Sequence, residues 1–222
     1  MTMKRRSFLG TALAGATGTV LTGNIPQNMA VAEEARPVAP IDTDPTAWVP
    51  LGKDLKVCRI GFGTGMHGGK RESDLTRQGE KAAVDLLRFA YDEGIRLIDG
   101  ADLYGIHPFI PKAWGDKPRE SYSIITKMWV MPGGIPEPER PDADIVIARF
   151  LKEMKTDYID LVQLHCQSNA NWTETYARQM DILEGLKEKG LIRAHGVSVH
   201  GNPALETAIH SDWVDAVHVR IN

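Results

Sequence analysis

Four side chains in this sequence could build a proton-donating site: the carboxylate of Asp99, the phenol of Tyr104, the ammonium of Lys127 and the imidazole of His165. A phenol is a weak acid with an ordinary pKa of about 10. A nearby ammonium favours the phenolate and so eases proton donation toward neutral pH. A carboxylate beside the lysine would hold it charged and in place, and a histidine beside the phenol could bind a carbonyl oxygen. The set suits reduction of a C=O group by hydride, with the phenol supplying the proton. Taken singly, each residue has a blander reading: a turn aspartate, a packing tyrosine, a solvated strand-end lysine and a hydrogen-bonded core histidine. Their common placement joins them.

Each lies at or just past the end of an expected strand. The spacing predicts strands over 57–63, 95–99, 121–127, 158–165, 195–199 and 216–221. Between them, Ala83, Val84, Leu87, Ala90 and Tyr91 share one helical face, with Gly94 as a C-terminal stop. Asp142 is placed to cap a helix reaching Met154, and Thr173 one closed by Gly190. Asn202-Pro203 reads as another helix start. Leu51-Gly52-Lys53-Asp54 reads as a turn between two short strands. Strand–helix alternation implies parallel pairing with right-handed crossovers. Of the two architectures that satisfy it, a doubly wound sheet would need a glycine fingerprint running straight into a helix. The glycine-rich stretch Gly61 to Gly69 stands too far from its helix for that. The expectation is therefore an α/β (β/α)8 TIM barrel of which only about six βα units are present, with catalysis at the C-terminal ends of the strands. Roughly 190 residues follow position 32, against roughly 250 for an eight-stranded barrel. The chain accordingly reads as truncated, or as a partial barrel completed by another chain.

Composition narrows the class. Of 222 residues, 42% are hydrophobic and 25% charged, and the net charge of −3 lacks the basic excess of a nucleic-acid surface. The two cysteines, Cys58 and Cys166, cannot form a disulfide framework and read as two small buried or half-buried thiols. Residues 1–32 read as an address: Arg5-Arg6 before Phe8-Leu9, a mild apolar stretch, and Ala30-Val31-Ala32 as a cleavage point. This resembles a twin-arginine export signal, which implies the twin-arginine machinery as a partner and a periplasmic or otherwise exported location. The apolar run is too short and too rich in Gly and Thr for a stable membrane span. Residues 33–50, with four prolines, read as a linker, and 51–222 as the partial barrel domain.

The words around the four residues carry a resemblance. Ile60-Gly61-Phe62-Gly63-Thr64, Ile98-Asp99-Gly100-Ala101-Asp102-Leu103-Tyr104-Gly105, Ile125-Thr126-Lys127, Asp157 to His165 and Leu186 to Ser198 occur in order and together resemble the aldo-keto reductases. The resemblance implies reduction of an aldehyde or ketone with NADP, or alternatively NAD, as cofactor and a small-molecule carbonyl substrate. It implies Tyr104 as proton donor supported by Lys127 and Asp99, His165 orienting the carbonyl, and Gly63, Thr64 and Ser198 bordering the cofactor. Val199 stands where an asparagine is usual, and Ile106 to Pro111 replaces the usual glutamate-led helix start after Tyr104-Gly105.

Two other functions fit part of the pattern. Asp99, His165, His200 and His218 fall on or just beyond strands and could hold a divalent ion in a barrel hydrolase or isomerase, although no metal-ligating motif is present and none is expected. A non-enzymatic cofactor-binding or scaffold module would keep the fold without the chemistry.

Overall fold

The structure, a computed structural model, describes residues 43–52 and 54–220; the export-signal segment 1–32 and the first part of the expected linker lie outside them. Eight strands are present among the described residues: β1 (Trp48–Leu51), β2 (Leu55–Cys58), β3 (Phe62–Gly63), β4 (Leu97–Asp99), β5 (Ser123–Met128), β6 (Ile159–Gln167), β7 (Ile192–Val199) and β8 (Ala216–Val219). The helices are α1 (Asp74–Arg77), α2 (Glu80–Asp92), α3 (Ile110–Trp114), α4 (Ala143–Met154), α5 (Trp172–Thr175), α6 (Ala177–Glu188) and α7 (Asn202–Ile209). Six strands form one parallel sheet in the order β3-β4-β5-β6-β7-β8, while β1 and β2 pair separately as an antiparallel hairpin.

Two boundaries differ from the sequence expectation. The run 57–63 is two strands, because β2 ends at Cys58 and the chain bends through Ile60 and Gly61 before β3. The linker ends earlier than position 50, since Trp48 pairs with Cys58 in the hairpin. Two helix starts also differ. Asp142 holds the N-cap position of α4, but its carboxylate accepts from Arg178 Nε at 3.0 Å and Gln179 Nε2 at 3.1 Å rather than from the helix amides. Thr173 lies inside the short α5, and Tyr176 separates α5 from α6.

The sheet has two apolar faces, as strands buried on both sides must. On the outer face Ile98, Ile124, Val162, Leu164 and Val197 pack with Leu87 of α2, Phe150 and Met154 of α4 and Leu183 of α6. On the inner face Leu97, Ile125, Leu161, Ala194 and Ala216 meet Leu55 and Val57 of the hairpin. The hairpin thus fills the inside at the N-terminal end, where a doubly wound sheet would carry a second helix layer. The sheet is also strongly curled. In a flat sheet β4 and β8 would stand four strand spacings of about 4.8 Å apart, roughly 19 Å. Here His218 Nδ1 on β8 lies 3.8 Å from Asp99 Oδ1 on β4. The six strands are a parallel arc of a (β/α)8 barrel, and its C-terminal rim gathers their end residues.

Candidate active site

All four expected residues meet on that rim. Asp99 ends β4, Lys127 lies near the end of β5 and His165 near the end of β6. Tyr104 sits in a 3-10 turn, Asp102–Tyr104, directly after β4. Gly105 closes this turn in the left-handed region, φ +67°, where a Cβ would stand 2.0 Å from the Arg71 carbonyl oxygen, so the turn requires glycine. Lys127 is buried; its ammonium forms an ion pair with Asp99 and donates to Gly100 O at 2.9 Å. The Tyr104 hydroxyl and His165 Nε2 share a hydrogen bond of 3.2 Å. Lys127 Nζ lies 5.6 Å from the centre of the Tyr104 ring. Trp129, in the loop after β5, stands edge-on to His165 with ring centres 5.4 Å apart.

The electrostatics assign different roles to the phenol and the imidazole. Burial pushes His165 down to about 3, and the nearby charges of Lys127, His200 and His218 act in the same direction. His165 is therefore neutral at neutral pH and offers one donor and one acceptor. Nε2 faces the phenol, and Nδ1 is buried without a partner. Tyr104 differs from the sequence expectation: its pKa is raised, not lowered. Burial is the largest cause, with the Asp99 carboxylate and Cys166 adding to it. The physical reason is that Lys127 spends its charge on Asp99, so the phenol sees desolvation and a carboxylate more than a free ammonium. The Tyr104 phenol is thus protonated at neutral pH.

The residues expected to border the cofactor are also on the rim. Gly63 ends β3 and has no atom within 4 Å of where a Cβ would stand. Thr64 is buried, and its hydroxyl donates to Asp99 O at 2.9 Å. Ser198, near the end of β7, is buried and accepts from the Cys166 amide at 2.8 Å. Among the described residues no group of three or more His, Cys, Asp or Glu is arranged to hold a metal ion. Cys58 is buried at the hairpin and Cys166 half-buried on the rim, and both are unpaired.

Two features escaped sequence reasoning. Gly65 and Gly68 lie flat against the Tyr104 ring: a Cβ on either would come within 2.4 or 2.5 Å of it. Those glycines let the loop approach the Tyr104 ring closely. Asp102, two residues before Tyr104, is buried; it accepts from Arg71 Nε at 3.0 Å and from Arg149 at 3.0 and 2.6 Å. Arg71 also pairs with Glu139, and Arg149 with Glu153 at 2.9 Å. This network ties the turn that carries Tyr104 to the glycine-rich loop and to α4. His218, which the sequence offered with Asp99 as a possible metal ligand, joins Asp99 at the rim as described above. Its position two residues after Ala216, on the same strand face, was the available signal.

A parallel barrel arc thus brings a phenol, a neutral imidazole and an ion-paired lysine together on its C-terminal rim. Residues 59–222 match the model of the aldo/keto reductase family, and the chain belongs to that family. It is 30% identical over 173 residues to an NADH-specific methylglyoxal reductase of Escherichia coli strain K12, covering 68% of this chain and 51% of that protein. A thermostable aldo-keto reductase, Tm1743, crystallised with the inhibitor epalrestat, superposes with a TM-score of 0.62 at 29% identity, covering 79% of this chain and 63% of that one. An aldo/keto reductase from Klebsiella pneumoniae, crystallised with NADP and acetate, shares the fold at a TM-score of 0.57 and 23% identity, over 78% of this chain and 57% of that one. The chain spans about half the length of the curated relatives it matches.

Proposed function

We propose that this chain carries the carbonyl-reducing half-site of an NAD(P)H-dependent oxidoreductase acting on small aldehydes or ketones, with Tyr104 as proton donor. The observation that carries this reading is the Tyr104–His165 hydrogen bond of 3.2 Å beside the ion pair of buried Lys127 with half-buried Asp99. A nicotinamide cofactor, when bound, supplies hydride to the carbonyl carbon. The open space at Gly63 fits the nicotinamide end, and Thr64 and Ser198 border it. Ser198 uses a lone pair on the Cys166 amide and keeps its own proton to donate. A relative named for NADH and a neighbour holding NADP leave both cofactors as candidates.

This chain's residues do the rest. Neutral His165 fixes the carbonyl oxygen beside the phenol. Tyr104 gives its proton to that oxygen as negative charge develops there. Lys127, held by Asp99 and Gly100 O, stabilises the phenolate that forms. Trp129 walls the pocket beside His165. The test is NADPH and NADH consumption with methylglyoxal as probe, in the full chain and in Tyr104→Phe. Loss of turnover in the variant supports the reading, and turnover at the unaltered rate refutes it.

Export completes the reading. Residues 1–32 are proposed to direct the folded chain through the twin-arginine route, with nucleotide loaded beforehand and held tightly. A reporter fused after residue 32 should stay inside when Arg5 and Arg6 are both changed to lysine. Purified protein that contains no nucleotide and binds it only weakly would sink the loading proposal.

A further inference from the structure

The geometry points to a second chemical function on the same rim: Cys166 and His200 form a thiol–imidazole pair that adds reversibly to a small aldehyde, giving a hemithioacetal that blocks the site. The inference rests on the carbonyl-pocket reading above.

The backbone first shows that Cys166 is placed by construction. Consecutive residues of a strand point to opposite faces, so a residue directly after His165 should turn away from the site. The β6–β7 register instead shifts between Leu164 and Gln167, and Cys166 takes φ +60°. A bulge of this kind re-aims side chains and tends to occur next to active sites. Ser198 Oγ accepts the Cys166 amide at 2.8 Å, and Gln167 O accepts the His200 amide at 2.8 Å, so both strands are pinned around the bulge. As a result Cys166 Sγ stands 3.4 Å from His200 Nε2. Cys166 directly follows His165, whose Nε2 stands 3.2 Å from the Tyr104 hydroxyl. An aldehyde held by Tyr104 and His165 is therefore next to a thiol and its partner base.

The other cysteine is a contrast within the same chain. Cys58 is fully buried, and its sulfur is surrounded by the carbonyl oxygens of Pro45, Thr46 and Gly94 at 3.6–3.9 Å. No base accompanies it. Burial pushes the Cys166 thiol up, with Lys127 opposing, so the thiol is protonated when it meets its electrophile. A thiolate is the nucleophile, so a base must take the proton as attack proceeds, and His200 is positioned to do so.

The step balances without an added reagent. A sulfur lone pair forms the S–C bond to the carbonyl carbon, and the C=O π pair moves onto oxygen. The thiol proton passes to His200 Nε2 and then to that oxygen. Reversal regenerates aldehyde and thiol.

The test uses the full chain, Cys166→Ser, His200→Gln and Tyr104→Phe. Iodoacetamide is the first probe: the S–C bond forms, iodide leaves and His200 takes the proton. Peptide mapping should place the label on Cys166 and leave Cys58 unmodified in the folded protein. The His200→Gln rate should fall by roughly a hundredfold, the low side of what a positioned base contributes. Propanal labelled with 13C at the carbonyl is the second probe: a hemithioacetal resonance should appear in the full chain, persist in Tyr104→Phe and vanish in Cys166→Ser. Labelling of His200→Gln at the unaltered rate, or a hemithioacetal signal that survives Cys166→Ser, overturns the pair. Failure of the reductase reading shows separately, as methylglyoxal turnover that survives Tyr104→Phe while the adduct forms as expected.

Discussion

Lowering the pH from 7 to 5 should cost the fold about 2 kcal/mol through His165 alone. An unfolded histidine titrates near 6.5, and in the folded chain burial holds His165 down at about 3. A group whose folded pKa is depressed stabilises the fold above its unfolded pKa and loses that stabilisation as pH falls toward the folded value. The window is therefore about pH 6.5 down to about pH 3. At pH 5 the unfolded imidazole is almost fully protonated while the folded one is neutral, and the linkage relation gives about 2 kcal/mol relative to pH 7. In a domain of this size that is roughly 4–8 °C of Tm. His195 and His218 are depressed in the same direction, with burial as the first cause of each, so wild-type acid sensitivity sums several histidines. His165→Gln isolates one of them. Urea unfolding of both proteins at pH 7 and pH 5 should show the stability gap between them shrinking by about 2 kcal/mol at pH 5. A gap that stays constant between the two pH values would refute a neutral, desolvated His165.

Three further outcomes follow from the rim. Because Tyr104 is pushed up by burial and Asp99, it stays protonated through the neutral range, and the rate of reduction should stay level from about pH 6 to about pH 9; a basic limb beginning near pH 7.5 would contradict the raised value. Asp102→Ala should destabilise by about 3 kcal/mol in chemical unfolding, the low end for breaking a buried pair, since Arg71 and Arg149 keep Glu139 and Glu153; a change below about 0.5 kcal/mol would show that the network is not buried as described. Gly65→Ala and Gly63→Ala should separate cleanly: the first drives a Cβ into the Tyr104 ring and should cost about 1–3 kcal/mol together with turnover. The second meets open space, so Tm should hold while the nicotinamide KM rises, and equal effects in the two variants would contradict the packing of the glycine loop on Tyr104.

The candidate site was legible because its strand residues end apolar runs, and parallel topology forces such ends onto one rim. Asp99, Lys127 and His165 needed no tertiary knowledge beyond strand order. The boundary between β2 and β3 was not legible, because Val57 to Gly63 is apolar or glycine at every position but Arg59, and its bend depends on the hairpin packing inside the barrel. Asp102 gave no signal because its partners, Arg71 and Arg149, are 31 and 47 residues away. The bulge at Cys166 was hidden for a related reason: no Gly or Pro marks it, and it is held by Ser198 on the next strand.

The direction of the Tyr104 shift carries the furthest consequence. Sequence supplied the correct partners and the wrong sign, because pairing and burial compete and only coordinates weigh them. A Lys127 charge left unopposed beside the phenol would lower its pKa, because it stabilises the phenolate far more than the neutral phenol. A Lys127 neutralised by Asp99 does little for the resting phenol. Its charge acts on the phenolate that forms as the proton departs, with the Tyr104 ring centre 5.6 Å from Nζ, and it does so only while Asp99 holds the ammonium in place. Removing the carboxylate while keeping the lysine, as in Asp99→Asn, should therefore lower the Tyr104 pKa and reduce kcat together. A variant in which the pKa falls and kcat rises would show that Asp99 restrains catalysis rather than supporting it.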